Sequence, residues 1–289
     1  RLQSLAGRCA EMMTNLAAVL PKARQEHYAI GSFNVYNYET IRGVIESGQE
    51  MNLPAIVAFG ENYLVNMDVN DVAGIVKAMT ARHDIPVVLH LDHCKSFDHI
   101  VQAIRAGFTS VMFDASHLPF EENLRQTREV TRMSHAVGVS VEAELGALAK
   151  GEHSNEEDAE QIYTDPTQAA RFVRETEVDA LAVSIGTVHG MYKGTPKVDT
   201  GVLKAIAAEV DIPLVLHGGS GTPEEIVREC IRLGISKINV NTEISMYAVE
   251  QMSALVSGAK KPHLSQLSLS EVSYVKDVVK KYMSMFANV

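Results

Sequence analysis

The chain has 289 residues, of which 46% are hydrophobic and 6% aromatic, and its formal net charge is −10. Its dispersed acidic residues argue against a nucleic-acid surface, and the absence of any apolar run of about 18 residues argues against a membrane span. Its three cysteines lack CxxC spacing, which favours a reducing cytoplasm. This length allows one large barrel or two smaller domains.

Strand-like and helix-like stretches alternate along the chain. Residues 1–25 mix polar side chains into apolar positions and predict an amphipathic helix, not a signal peptide. Eight apolar, β-branched runs are typical of parallel strands buried on both faces; they are 28–35, 54–60, 86–92, 109–115, 139–145, 179–186, 213–219 and 236–241. Helices are predicted between them, among others at 39–51, 70–82, 120–136, 166–176 and 222–233. These units predict an α/β protein, a (β/α)8 TIM barrel, with residues 1–289 as a single domain.

Two proline pairs and one long insert refine this prediction. Asp165-Pro166 and Thr222-Pro223 each place a capping side chain before a proline in the first turn of a helix. The polar insert 147–165 follows the fifth strand, so we expect a mobile loop over the top face of the barrel.

Three strand-like runs carry a histidine at or near their carboxyl end. They are VVLHLDH with His93, LAVSIGTVHG with His189 and LVLHGGSG with His217. The carboxyl ends of barrel strands converge on one face, so these side chains can meet in space. Three imidazoles with an open fourth position form a catalytic metal site, most naturally for zinc. The pattern therefore predicts a metalloenzyme. Other histidines, among them His27, His83, His135 and His263, are interpreted as core or surface residues.

Acidic side chains lie beside these histidines or end neighbouring strands. Asp92 directly precedes His93, and Asp114 and Glu144 end the fourth and fifth strands. A carboxylate among Val, Met and Ala is costly to bury unless it is paired or binds a cation. A structural ion pair with lysine or arginine and a position near the metal both remain open. His90, two residues before Asp92, is expected to pack inside the barrel.

Two polar stretches indicate phosphate binding. GGSG at 218–221 follows the seventh strand and precedes a helix, and NVNT at 239–242 follows the eighth. Barrels frequently bind phosphate between these two loops, on backbone N–H groups and a helix N-terminus. A GGSG stretch alone could be a simple turn, but its pairing with NVNT favours a phosphate site.

The ordered motifs HLDH, EAELG, GTVHG, LHGGSG and NVNTE resemble the class II, zinc-dependent ketose-bisphosphate aldolases over about residues 28–250. SHLPFEEN and LAVSIGTVHGMYKGTPK look closest to the tagatose-bisphosphate branch. The resemblance implies that His93, His189 and His217 hold the catalytic zinc and that Asp92 is the proton donor at the aldehyde oxygen. It also implies that Asp114 and Glu144 bind a second or displaced metal, and that Glu152 transfers the C3 proton. The implied substrate-binding residues are Asn34, Gly190, Gly218, Gly219, Ser220, Asn239, Val240, Asn241 and Thr242.

The implied reaction is reversible cleavage of a ketose 1,6-bisphosphate, of the tagatose or fructose type, to dihydroxyacetone phosphate and an aldehyde such as glyceraldehyde 3-phosphate. Cleavage of the C3–C4 bond leaves a carbanion, which zinc would stabilise as a Lewis acid without a Schiff-base lysine. Asp92 would take the C4 hydroxyl proton. Glu152, on a closing loop, would protonate the enediolate.

The chain departs from the family pattern in its aldehyde half. Gly60 stands where the family usually has Ser or Thr, and the tail runs Lys260-Lys261-Pro262-His263 in place of Asp-Pro-Arg. No basic residue for a second phosphate is identified, although Lys280 and Lys281 are available in the final helix. An alternative is therefore the same zinc chemistry on a ketose 1-phosphate without the distal phosphate.

An alternative of another class is a non-catalytic sugar-phosphate-binding or subunit-stabilising barrel, which the retained Asp92 and histidines disfavour. The expected cofactor is zinc, with a second divalent ion or a monovalent cation as a further candidate. The expected partners are a small sugar-phosphate substrate and further copies of the chain, as a homodimer or homotetramer. Neither a nucleic acid nor a membrane is expected as a partner.

Overall fold

A computed structural model describes residues 12–155, 160–258 and 260–287 of the chain. Eight parallel strands form its centre: β1 (Ile30–Asn34), β2 (Ala55–Gly60), β3 (Val87–Cys94), β4 (Ser110–Phe113), β5 (Ser140–Leu145), β6 (Ala180–Val183), β7 (Leu214–Leu216) and β8 (Ile235–Val240). Each strand pairs in parallel with the next along the chain, and β8 pairs with β1, so the sheet closes. The predicted (β/α)8 barrel is confirmed.

Helices connect the strands and flank the barrel. They are α1 (Leu16–Glu26), α2 (Tyr38–Met51), α3 (Val69–Thr80), α4 (Phe97–Ala106), α5 (Phe120–His135), α6 (Pro166–Thr176), α7 (Thr200–Glu209), α8 (Glu224–Arg232), α9 (Thr242–Ser257) and α10 (Leu264–Ala287). A 3₁₀ helix, Glu61–Val65, follows β2, and the two-residue strand Met13–Thr14 extends the sheet beside β3. No described helix has the length and apolar character needed to cross a membrane.

The interior of the barrel changes from apolar to polar along its axis. At the amino ends of the strands, Leu16 and Leu20 of α1 cluster with inward-facing apolar side chains such as Ile30 and Val215. Burial of these side chains stabilises the barrel by roughly 1.5–3 kcal/mol each. Two residues further along three of these strands, towards their carboxyl ends, the buried side chains are the polar groups of Ser32, His90 and His217. The carboxyl ends of the strands are therefore lined by side chains that can take part in chemistry.

Two helix starts test the sequence predictions. Asp165 caps α6, where its side chain accepts a hydrogen bond from the N–H of Gln168 at 2.8 Å, and Pro166 is the first helical residue, as predicted. Thr222 does not cap α8, which begins at Glu224. Its hydroxyl instead donates to the carbonyl of Gly218 at 2.9 Å, so the prediction for Thr222 was wrong because its side chain folds back over the preceding loop.

The ends of the chain and the long insert are described in part. The helix predicted over 1–25 is confirmed at Leu16–Glu26, where Asn15 caps α1 by accepting a hydrogen bond from the N–H of Ala18. The prediction was wrong at Met13–Thr14, because these residues pair with β3 as a short strand. Residues 1–11 and 156–159 lie outside the described residues. Within the insert, Ala149–Lys150 pairs with the short strand Val188–His189. The single-domain organisation and the mobility of the insert stay predictions.

Candidate metal centre and active site

His93, His189 and His217 converge at the carboxyl end of the barrel. His93 is the second-last residue of β3 and His217 directly follows β7, whereas His189 lies in a short strand beyond the end of β6. Nε2 of His93 and Nδ1 of His217 are 2.7 Å apart. The ring centroids of His93 and His189 are 4.9 Å apart, and one nitrogen of each of the three rings lies within 4.8 Å of the others. The structure therefore brings the predicted trio together.

Two of the three imidazoles are oriented by carboxylates. Asp114 Oδ2 lies 2.9 Å from Nδ1 of His93, and Glu142 Oε1 lies 2.9 Å from Nε2 of His217. Such contacts turn the opposite nitrogen of each ring towards the shared centre, as in many metal sites. Nε2 of His189 is buried without a hydrogen-bond partner. An unpaired buried nitrogen and two oriented imidazoles are the donor set expected for a divalent cation.

The protonation of the histidines favours the same interpretation. Burial, followed by the neighbouring His93, lowers the pKa of His217 and lowers the pKa of His189 well below its usual value. Both rings are therefore neutral near pH 7, and the neutral imidazole is the form that donates a lone pair to a metal.

The backbone at the site has conformations that few residues adopt. His93 has φ 47°, in the left-handed region that is unfavourable for a residue with a side chain. Gly190 and Gly218 follow two of the histidines at φ 110° and 73°. A Cβ atom at Gly218 would lie 2.2 Å from the carbonyl oxygen of Val188, so this loop requires glycine. Strained backbone of this kind is concentrated at functional sites.

Asp92 is buried between two amide side chains. Its Oδ2 accepts a hydrogen bond from Asn34 Nδ2 at 3.0 Å, and its Oδ1 accepts one from Asn239 Nδ2 at 3.1 Å. Burial alone would raise the pKa of Asp92, but His93 and then Lys237 hold it well below its ordinary value. The carboxylate is therefore ionised and fixed in orientation.

Glu142 and Lys237 form a buried ion pair below the histidines, which the sequence analysis missed. Both side chains are fully buried, and Lys237 Nζ lies 2.9 Å from Glu142 Oε2. Burial would raise the pKa of Glu142, but Lys237 and the hydrogen bond from His217 lower it to about 2. The available signal was register, because Glu142 precedes Glu144 by two positions and Lys237 precedes Asn239 by two, so each pair shares the inward face. His90 packs in this layer, as predicted, with Nδ1 2.8 Å from Ser110 Oγ.

Asp114 and Glu144 lie together beside His93 and could hold a cation with it. Burial and the nearby Asp114 raise the pKa of Glu144 well above its usual value, and its Oε2 has no hydrogen-bond partner. In the described residues neither carboxylate forms a salt bridge with lysine or arginine. The alternative was a structural ion pair between one of these carboxylates and a lysine or arginine. The described part of the chain contains no such pair.

A pocket opens above the trio and Asp92. It is lined by Asn34, Asp92, His93, Ser154, His189, Gly190, His217, Gly218, Ser220, Asn239, Asn241 and Thr242. Two predicted substrate-binding residues support it from behind: the N–H of Gly219 donates to the carbonyl of Asn239 at 2.9 Å, and Val240 is buried in the core. Ser154 was not predicted.

The glycine-rich loop is supported by the last helix. The N–H of Gly221 donates to the hydroxyl of Tyr282 at 3.4 Å, and that hydroxyl also hydrogen-bonds Glu243 at the start of α9. Ser220 Oγ accepts a hydrogen bond from the N–H of Glu243 at 3.2 Å. The predicted phosphate loop is thus tied to the amino end of a 16-residue helix, where N–H groups and the helix dipole favour an anion.

Glu152 is exposed and lies outside this pocket. It lines a neighbouring surface depression with Lys150, His153 and Lys193. Its backbone is anchored, because its N–H donates to the carbonyl of Met191 at 2.8 Å. The catalytic role implied for Glu152 stays a prediction, and it requires the side chain to move towards the pocket.

The space beside Gly60 is occupied by Tyr63. A Cβ atom at Gly60 would lie 3.2 Å from the Tyr63 ring and 3.8 Å from Asn34 Nδ2, so position 60 faces the site. The Tyr63 hydroxyl accepts hydrogen bonds from Asn241 Nδ2 at 3.0 Å and Asn155 Nδ2 at 2.8 Å.

The two lysines of the final helix are engaged elsewhere. Lys280 Nζ lies 3.0 Å from Glu50, and Lys281 Nζ lies 2.6 Å from Glu243. No lysine or arginine is among the described residues that line the pocket.

Comparison with known proteins places the geometry in context. Residues 14–289 match the family model described as fructose-bisphosphate aldolase class-II. The YdjI aldolase from Escherichia coli K12 is 34% identical, with a TM-score of 0.85 over 95% of this chain and 97% of its own. A candidate fructose-1,6-bisphosphate aldolase from Coccidioides immitis is 31% identical, with a TM-score of 0.86 over 93% and 94%. A fructose-bisphosphate aldolase from Campylobacter jejuni, 21% identical over 95% of each chain with a TM-score of 0.78, shares the fold.

Proposed function

The chain belongs to the class-II fructose-bisphosphate aldolase family and is a lyase, and we propose that it reversibly cleaves a ketose 1,6-bisphosphate of the tagatose or fructose type. The products are dihydroxyacetone phosphate and an aldehyde such as glyceraldehyde 3-phosphate. The observation that supports this most is the convergence of three histidines and an ionised Asp92 beside the glycine-rich loop. Membership of a lyase family disfavours a non-catalytic barrel.

His93, His189 and His217 are the proposed ligands of a catalytic zinc ion. Members of this family are typically dependent on a divalent metal, and a set of three imidazoles suits zinc. When bound, zinc would act as a Lewis acid that stabilises negative charge on the triose half of the substrate. Asp114 and Glu144, with the unpaired Oε2 of Glu144, are the proposed ligands of a second or displaced cation.

Asp92 is the proposed general acid and base at the aldehyde half. As the C3–C4 bond breaks, its carboxylate takes the proton of the C4 hydroxyl, and it returns that proton in condensation. Its hydrogen bonds to Asn34 and Asn239 hold both oxygens in place, so little reorganisation is needed. Proton transfer of this kind accelerates a reaction by a factor of about 10²–10⁴.

The loops after β7 and β8 are the proposed site for the phosphate of dihydroxyacetone phosphate. The glycines at 218–221 expose backbone N–H groups, and α9 begins at Thr242 beside them. Together they supply hydrogen-bond donors and the positive end of a helix dipole to a phosphate dianion.

Glu152 is the proposed acid that protonates C3 of the enediolate. Since its side chain is exposed, this step requires the insert to close over the pocket. Ser154, two residues further along the same segment, already lines the pocket.

A ketose 1-phosphate without the distal phosphate is the second candidate substrate. Two observations favour it: the described lining of the pocket contains no lysine or arginine, and the ring of Tyr63 fills the space beside Gly60. A homodimer or homotetramer is proposed on the family resemblance alone, and a cytoplasmic location on the cysteine pattern.

A substrate panel tests the proposal. Purified enzyme with added zinc is assayed on fructose 1,6-bisphosphate, tagatose 1,6-bisphosphate and fructose 1-phosphate, with dihydroxyacetone phosphate as the common product. We expect a higher kcat/KM for one bisphosphate than for the monophosphate. A preference for fructose 1-phosphate would replace the first candidate with the second, and no cleavage of any ketose would contradict both. Asp92→Asn, purified in parallel, excludes a contaminating aldolase.

A further inference from the structure

One buried lysine contacts both chemical parts of the site. Lys237 Nζ lies 2.9 Å from Glu142 Oε2 and 2.6 Å from Asn239 Oδ1. In the described part of the chain, Lys237 is the one lysine or arginine that is fully buried. A buried ammonium is tolerated only where its hydrogen bonds and charge are matched, so the contacts of Lys237 with Glu142 and Asn239 are specific.

The first branch from Lys237 leads to a proposed metal ligand. Glu142 Oε1 accepts a hydrogen bond from Nε2 of His217 at 2.9 Å. The proton of neutral His217 is therefore held on Nε2, which leaves Nδ1 as the lone-pair nitrogen facing His93 Nε2. Lys237 holds Glu142 in place, and the carboxylate oxygen that faces Nε2 of His217 fixes this tautomer.

The second branch leads to the proposed general base. The ammonium of Lys237 can only donate, so the amide oxygen of Asn239 faces it. The amide nitrogen must then face Asp92, to which it donates at 3.1 Å. A flipped amide would place Nδ2 against the ammonium and Oδ1 against the carboxylate, and both contacts are repulsive. Lys237 thus determines which end of Asn239 holds Asp92.

We propose that Lys237 and Glu142 are positioning residues, and that their ion pair fixes both the tautomer of His217 and the orientation of Asp92. This proposal rests on the roles proposed above for His217 as a metal ligand and Asp92 as the general base. Stability is a weaker explanation, because replacing a buried ion pair by neutral side chains of similar volume is often neutral or stabilising. The buried charges are needed because His217 must present its Nδ1 lone pair and Asp92 must keep one orientation.

Three variants separate positioning from stability. Lys237→Met and Glu142→Gln each leave one charge buried and unpaired, so both are expected to unfold at a lower temperature. The double variant removes both charges and is expected to recover most of the melting temperature. A purely structural pair predicts that zinc affinity and turnover recover with it.

Positioning predicts a different result in the double variant. Zinc affinity, measured by competition with a chromogenic chelator, is expected to fall about 10- to 100-fold, as for other outer-shell changes at metal sites. At saturating zinc, cleavage is expected to slow more than exchange of the C3 proton of dihydroxyacetone phosphate, because that exchange does not use Asp92. Wild-type zinc affinity and a wild-type ratio of cleavage to exchange in a folded double variant would overturn the proposal.

A matched control uses an ion pair away from the pocket. Lys276 Nζ lies 3.3 Å from Glu46 Oε2, between α10 and α2. The double variant Glu46→Gln with Lys276→Met is expected to keep wild-type zinc affinity and turnover, whatever its melting temperature. If the wild-type enzyme cleaves no ketose, the proposed function fails, whereas the zinc competition still tests the His217 branch independently.

Discussion

The two sides of the pocket are built by different means. On the side of β3, β7 and β8, side chains hold side chains: Asp92 lies between two asparagines, and His217 is held by a buried glutamate. On the side of the insert, backbone holds backbone: Gly151 N–H donates to the carbonyl of His189 at 2.7 Å, and Glu152 N–H to that of Met191 at 2.8 Å. We call these the barrel side and the insert side.

This difference predicts where substitutions act. On the barrel side, changing one side chain leaves a buried partner unsatisfied, so stability is expected to change together with the metal binding or the rate that this side chain supports. On the insert side, the backbone contacts survive substitution. Only the step that uses the replaced side chain is therefore expected to change.

Loss of the metal is expected to have the largest effect. His217→Ala should bind zinc weakly and lose cleavage, and chelation should abolish wild-type cleavage until zinc is restored. His99→Ala, whose ring belongs to the separate group of Glu61, Cys94 and His99, is the matched control and is expected to retain activity. Full cleavage by a verified metal-free enzyme would contradict the assignment.

Removal of the Asp92 charge is expected to come next. Asp92→Asn should lower kcat for cleavage by about 10³, since general base catalysis is worth about 10²–10⁴. Zinc content, measured by atomic emission, should stay at the wild-type value because Asp92 is not a proposed ligand. Asp199→Asn, which changes the N-cap of α7, provides the control. Zinc loss in Asp92→Asn would show that Asp92 belongs to the metal site.

A smaller effect is expected on the insert side. Glu152→Gln should slow exchange of the C3 proton of dihydroxyacetone phosphate by about 10², towards the low end of the range because water reaches an exposed segment. Glu160→Gln, on the same insert, is the matched control. Isotope exchange followed by NMR distinguishes the two, and a wild-type rate in Glu152→Gln would remove this residue from the mechanism.

Acid should weaken the barrel side before it affects the insert. Burial, and then the charge of Lys237, lower the pKa of His90 from 6.5 to about 4. Between pH 6.5 and about 4, His90 is therefore protonated in the unfolded chain but neutral in the folded chain. Stability is lost as the pH falls through this window. The loss attributable to His90 is at most about 3 kcal/mol. Urea unfolding at several pH values measures it, and an identical pH dependence in His90→Gln would refute the cause.

The smallest effect is expected at Gly60. Gly60→Ser adds a hydroxyl that faces the pocket, but its Cβ would lie 3.2 Å from the Tyr63 ring, which must shift. A new neutral hydrogen bond should raise kcat/KM for a bisphosphate two- to tenfold over its effect on a ketose 1-phosphate. Gly60→Ala supplies the same bulk without the hydroxyl. Equal changes on both substrates would mean that residue 60 does not contact the distal half.

The parts of the site that sequence predicts are those written in local patterns. His93 and His217 end apolar runs that are short and rich in Val and Leu, and such runs indicate strands from local sequence. The ion pair of Glu142 and Lys237 is not local: β5 and β8 are three strands apart around the barrel, and Lys237 is the single charged residue within its strand. Tyr63 was missed for a similar reason, since only the fold shows that a ring three residues later fills the space at Gly60.

The left-handed backbone at His93 also bears on how this barrel would change under mutation. Glycine adopts φ 47° without the steric cost that histidine has there, which is of order 1–3 kcal/mol. Selection for stability alone would therefore replace His93, the proposed metal ligand of β3, sooner than its buried neighbours. A lineage that ceased to need the reaction should lose His93 early and keep the barrel, so this position records whether activity is still under selection.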